Sequence, residues 1–215
     1  MIFTFIGLSI LSLAGFQIFR LIASALNAEL NSWLKAGAGF FIALALLIQW
    51  LSYAPFSLST ASWSAVFVST LVSLPLFQVT RGPEPAAISG LLQRKQLSAY
   101  LPYFLLITLI VTHLLLVLAS NLTRDIFPWD AFTTWMYRAK VWVLNDEMLN
   151  FQGVNQWLQS GGVGYALPAA HYPFSVSAVV AFSSALSGGW SDQSASIPWF
   201  FAMLAIGSMM FGLCR

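Results

Sequence analysis

Charge is what this sequence has least of. Only 7% of its 215 residues are Asp, Glu, Lys or Arg, against about a quarter in soluble domains. A chain this poor in charge cannot cover a water-facing surface. Cysteine is nearly absent as well: Cys214 stands alone, which excludes an internal disulfide and a cysteine-based zinc cluster. His113 and His171 are the two histidines, too few for a histidine-rich metal site. The net charge of +2 comes without any Lys/Arg patch, so nucleic acid is not an expected partner. No phosphate-binding loop, dinucleotide fingerprint or metalloprotease helix is present. The start, Met1–Phe16, has no basic residue before its apolar run and no small-residue cleavage site, so it reads as a retained helix and not a cleaved signal.

What the sequence has in abundance is apolar and aromatic surface. Hydrophobic residues make up 59% of it, with Phe 18 and Trp 9, and its mean hydropathy is +0.79. Spanning helices need about 20 mostly apolar residues. Six candidates follow: Met1–Phe19 closed by Arg20, Ala36–Ala54 ended by Pro55, and Ala61–Val79 ended by the Arg81-Gly82-Pro83 turn, then Leu97–Ala119, Tyr172–Leu186 and Ile197–Leu213. The expected fold is all-α, a polytopic transmembrane helical bundle. It divides into three helices with cytoplasmic loops over 1–96 and a second portion over 97–215. Ala86–Gln96 reads as a short cytoplasmic helix. Gln17, Gln49 and Gln78 fall near helix ends. His113 falls well inside the fourth run, where a polar side chain needs a partner: a neighbouring helix or a functional group.

The loops give a direction. Arg20 and Lys35 outnumber Glu29 in loop 20–35, and Arg81, Arg94 and Lys95 outnumber Glu84 in loop 80–96, whereas loop 55–60 carries no charge. By the positive-inside rule the first two are cytoplasmic. The N-terminus and loop 120–171 are then expected outside. That long loop holds Asp125, Asp130, Asp146 and Glu147, together with Trp129, Trp135, Trp142 and Trp157. Loops of its length are functional or disordered, and its tryptophans point to packing. At about 100° per residue, Phe132, Trp135, Met136, Ala139, Trp142 and Val143 share one face, with Asp130, Thr134, Tyr137 and Arg138 opposite and Lys140 near the edge. This is an amphipathic helix with aromatic anchors, suited to a membrane surface. Asp130 stands either as its N-cap or as a carboxylate presented at the rim of the bundle. Pro173 suits the first turn of a helix, which places His171 and Tyr172 at the outer mouth of the next one. They are a plain interfacial pair or part of a site.

Pro128-Trp129-Asp130 through Arg138-Ala139-Lys140, followed by Tyr172-Pro173, resembles the first outer loop of polytopic bacterial glycosyltransferases of the GT-C superfamily. These are the relatives of dolichyl-phosphate-mannose-protein mannosyltransferases and lipid A aminoarabinose transferases. The resemblance covers about residues 98–186. It implies a multi-pass protein of the plasma (inner) membrane, working among membrane lipids. The implied activity is hexosyl or pentosyl transfer from a polyprenyl-phosphate sugar donor to an extracytoplasmic glycan, lipid or protein. Asp130 would be the general base, Arg124, Arg138 or Lys140 would neutralise the phosphate, and His171 with Tyr172 would complete the substrate site. Some relatives use a divalent metal ion, for which this sequence offers no assignable ligands. Three helices precede the matching one, and Arg215 follows the sixth run directly, so the chain reads as the N-terminal part of a larger enzyme with a downstream membrane polypeptide. Two other functions fit the same pattern: a non-catalytic polytopic accessory protein, and a polysaccharide polymerase-like or transport protein.

Overall fold

The computed structural model describes residues 1–78, 97–123, 131–168 and 170–214. Where backbone groups have no water to bond, a continuous apolar run must satisfy them internally as a helix. The chain does so in α1 (Ile2–Ala25), α2 (Ser32–Tyr53), α3 (Leu58–Gln78) and α4 (Leu97–Thr123). A six-residue π-helical turn (Ala131–Met136) leads into α5 (Tyr137–Asn145). Then come β1 (Phe151–Gln152), α6 (Val154–Gln159) and β2 (Tyr165–Ala166), the two strands forming a short parallel pair. The chain continues through α7 (Ser175–Leu186) to α8 (Asp192–Leu213). Among the described residues, α1, α2, the Phe104–Thr123 stretch of α4, and α8 are long and apolar enough to cross a membrane. The architecture is an all-α bundle of the kind that makes a multi-pass membrane protein.

Helix ends follow local chemistry. Asn31 caps α2, its Oδ1 accepting the Leu34 N–H at 2.9 Å, while its Nδ2 donates to the Gly212 carbonyl at the far end of α8. Ser191 caps α8 by accepting the Ser194 N–H at 3.1 Å, and Asp192 adds negative charge to the first turn, where the helix dipole favours it. Pro198 lies inside α8 and has no N–H for the Ser194 carbonyl four residues back. The Ser183 hydroxyl of α7 donates to that carbonyl instead.

Glycine sets the closest packing. A Cβ placed on Gly15 of α1 would lie 2.0 Å from the Gly39 carbonyl oxygen of α2, and one on Gly37 would lie 2.3 Å from the Ala205 carbonyl oxygen of α8. Small residues let membrane helices approach this closely when lipid and side chain are equally apolar. The buried cluster runs from Leu8 and Leu11 of α1 through Ala43 and Leu47 of α2 to Phe182 of α7 and Ile197 of α8. Residues before and after position 97 therefore share one core.

Three expectations change. The run expected to cross at 172–186 forms α7, a 12-residue helix about 18 Å long against a hydrocarbon core of about 30 Å. Every residue from Ser177 to Leu186 is buried, and the Ser183 carbonyl accepts the Thr4 hydroxyl near the start of α1 at 2.9 Å. The turn after α7 thus lies at the same end of the bundle as the N-terminus, and α8 runs back from there to meet Asn31. The second change concerns the amphipathic helix. Its apolar face forms, but Met136, Ala139 and Trp142 are buried in the protein core against α7 and do not rest on a lipid surface. His113 also differs from its buried expectation: it is exposed on α4.

Candidate functional site

The site is built where α5 meets the segment that enters α7. Trp142 fixes the first wall: its ring is buried and its Nε1–H donates to the Leu149 carbonyl at 2.7 Å. Phe151 lies edge-on to both Trp142 and Tyr137, with ring centroids 6.3 and 5.9 Å apart. Arg138 projects between this aromatic wall and the chain at Ala170–Tyr172. Its two terminal nitrogens donate to the carbonyls of Tyr172, at 3.0 Å, and Ala170, at 3.1 Å, and its guanidinium carbon lies 5.6 Å from the Phe151 ring centre.

Arg138 is only 4% exposed, a correction to the solvent-facing position that the 100° wheel assigns it. Arg138 stands four residues before Trp142 on the regular α5, only about 40° from it at 100° per residue, so the buried face of α5 extends to it. The consequence is electrostatic. Burial lowers the Arg138 pKa, yet an arginine keeps its proton in proteins. Among the described residues its hydrogen bonds go to neutral carbonyls, and its Nε–H has no partner. A buried cation held only by neutral groups is costly and is a natural receptor for an anion.

Arg138 lines a cavity of about 490 Å³ together with Asn150, His171, Tyr172 and the edge of Trp142. The His171 and Tyr172 rings meet edge to face, 4.8 Å apart, and both residues are exposed. Three of the expected substrate residues, Arg138, His171 and Tyr172, are therefore brought together. Lys140 is not among them. Its ammonium stands 5.8 Å from the Trp190 ring, a cation–π contact that ties α5 to the turn before α8. Asp130 and Arg124 lie outside the described residues, as do Asp125 and loop 79–96.

A second cavity of about 600 Å³ adjoins the first, sharing Ser52 and Met148, and is lined by Ser57, Asn145, Asp146 and Glu147. Asp146 ends α5 in the left-handed conformation, φ 52°. Its carboxylate accepts the Ser59 N–H at 2.7 Å and the Ser59 hydroxyl at 2.8 Å, while the Leu58 N–H donates to its carbonyl at 2.8 Å. One residue of the outer loop thus caps the start of α3. Burial works against ionisation of Asp146, but the hydrogen bonds from Ser59 and Ser57 outweigh it and hold the carboxyl below its ordinary value. Sequence reasoning counted Asp146 among the loop acids and missed this role. An Asn-Asp pair ending a helical pattern was the available signal for the turn, though nothing local names Ser59 as its partner.

Among the described residues no three His, Cys, Asp or Glu side chains stand close enough to hold a metal ion. The acids beside the cavities, Asp146 and Glu147, do not make a ligand set, and no step is assigned to a metal here. Comparison of the chain with protein families, with curated proteins and with solved structures gave no match.

Proposed function

We propose that the cavity around Arg138 binds the phosphate of a polyprenyl-phosphate sugar and that the chain takes part in transferring the sugar to an extracytoplasmic glycan, lipid or protein. The observation that carries this reading is the buried Arg138, a fixed positive charge whose Nε–H has no partner among the described residues, at the wall of a cavity at one end of the bundle. A guanidinium matches phosphate oxygens in geometry and charge. His171 and Tyr172 add hydrogen-bonding groups at the rim. A donor with a lipid tail in the bilayer would present its phosphate at the membrane face.

The Asp130 carboxylate takes the proton of the acceptor hydroxyl. The acceptor oxygen attacks the anomeric carbon, and the bond from that carbon to the phosphate oxygen breaks. Its electron pair leaves with the polyprenyl phosphate. Arg138 neutralises charge growing on that oxygen, which is where electrostatic stabilisation lowers the barrier most. The proton on Asp130 then passes to water.

The test uses membranes containing the full chain, polyprenyl-phosphate sugars with a labelled sugar, and the Asp130→Asn variant. The expected result is transfer by the wild type and a loss of about 100-fold or more in the variant. Undiminished transfer by the variant would remove Asp130 as base. No transfer by a folded wild-type chain would contradict the enzyme reading and favour the accessory one.

A further inference from the structure

Helix α4 packs on α8, yet none of its apolar Phe104–Thr123 stretch is buried. His113 sits at the middle of that stretch, exposed and with no hydrogen bond to the described residues. Hydrocarbon offers an imidazole no partner, and a polar side chain at mid-membrane is costly until it finds one. Leu106, Leu109, His113, Leu116 and Ser120 follow one another at spacings of 3, 4, 3 and 4 residues. That is a heptad seam with two polar residues, His113 and Ser120, at a positions. Leu106, Leu109 and Leu116 on it are all exposed, the last two at 67% and 64%.

We infer that this seam is the contact between two copies of the chain, paired through α4 about a two-fold axis along the membrane normal. Both copies share one membrane orientation, so the two α4 helices run parallel, as a heptad seam requires. A two-fold axis places like against like, so His113 faces His113. Imidazole suits this because its neutral form carries one donor and one acceptor: one ring donates, the other accepts. The leucines above and below interlock, and the polar pair at the centre fixes the register. A helix from a different polypeptide would need its own hydrogen-bonding residue at the matching depth, whereas a second copy brings one by construction. The inference is independent of the cavity at Arg138.

The experiment is oxidative cross-linking of the full chain in native membranes, in a Cys214→Ser background. Single cysteines are placed on the seam (Leu109→Cys, Leu116→Cys) or on the opposite exposed face of α4 (Val111→Cys, Leu115→Cys). Two differently tagged copies are co-expressed. The expected result is a product of twice the chain mass, carrying both tags, from the seam positions and not from the opposite face. Adding His113→Ala should lower its yield about 3- to 30-fold, and His113→Asn should restore most of it, as expected for an interhelical hydrogen bond in a membrane. Equal cross-linking from both faces, none from the seam, or a product containing a different polypeptide would each overturn the pairing. His113 is exposed on α4, so its variants are expected to accumulate normally, and the monomer level in the same samples checks this.

Discussion

Asp146 joins the outer loop to the bundle, and replacing it with Asn isolates that bond. Asn tolerates the left-handed backbone at φ 52° and keeps the shape of the side chain, so the change removes charge and one acceptor while leaving the turn intact. The wild-type carboxylate accepts from both the N–H and the hydroxyl of Ser59, at 2.7 and 2.8 Å. Loss of a helix cap costs about 0.5–2 kcal/mol, and hydrogen bonds to a charged group contribute about 1.5–3 kcal/mol when buried. Asp146 is only half-buried, so the lower range applies. For a chain of this size about 1–2 kcal/mol moves the unfolding midpoint by about 2–8 °C. The assay is thermal unfolding of the detergent-solubilised chain, wild type against Asp146→Asn, across pH. The folded-state carboxyl is held low by the Ser59 and Ser57 hydrogen bonds, against the effect of burial. Its contribution is therefore complete above the ordinary Asp value of about 3.9 and is lost as pH falls through the lower folded-state value. The two proteins should differ at neutral pH and converge in acid. An Asp146→Asn midpoint equal to wild type at pH 7, or a gap that persists in acid, would refute the cap as a charged interaction.

Gly15→Val places atoms where the Gly39 carbonyl now lies, 2.0 Å from the added Cβ. Overpacking of this kind costs about 1–3 kcal/mol or more, so we expect a clear fall in the unfolding midpoint, whereas Gly153→Ala, with open space around it, should change it little. A topology reporter fused after Asn150 should report an outside location. A second reporter, within the turn after α7 at Gly188, should report the same side, because α7 returns the chain to the end where Thr4 lies. Opposite locations for the two would mean that α7 crosses the membrane.

The apolar runs made α1, α2, α4 and α8 legible, because long hydrocarbon-facing backbone has one stable solution. Their ends were less so. Helix α1 continues past Arg20 to Ala25 and α2 starts before Lys35, because a long basic side chain can stay in a helix while its head reaches water. The run 172–186 is as apolar as a span. Its true length depends on where Ser183 and Thr4 find hydrogen bonds, and those partners are distant in sequence. Likewise, periodicity identified the face of Met136, Ala139 and Trp142 but not the surface it meets. Arg138 was legible as a candidate and illegible as a buried one, since it flanks the face of Trp142 and only the distant carbonyls of Ala170 and Tyr172 cover that edge. The cap by Asp146 on α3 was invisible for the same reason as the Thr4 contact: tertiary packing decides it.

Lipid binding at Arg138 can be measured directly. Polyprenyl phosphate and the uncharged polyprenol of the same length are titrated into the folded full chain in lipid nanodiscs, for wild type, Arg138→Lys and Arg138→Met, with thermal unfolding followed in parallel. Wild type is expected to prefer the phosphate by about 10- to 150-fold, the worth of charge-assisted hydrogen bonds of about 1.5–3 kcal/mol. Lysine should keep part of that preference and methionine none. Equal binding of both lipids by wild type, or a preference that survives Arg138→Met, would contradict phosphate binding at Arg138.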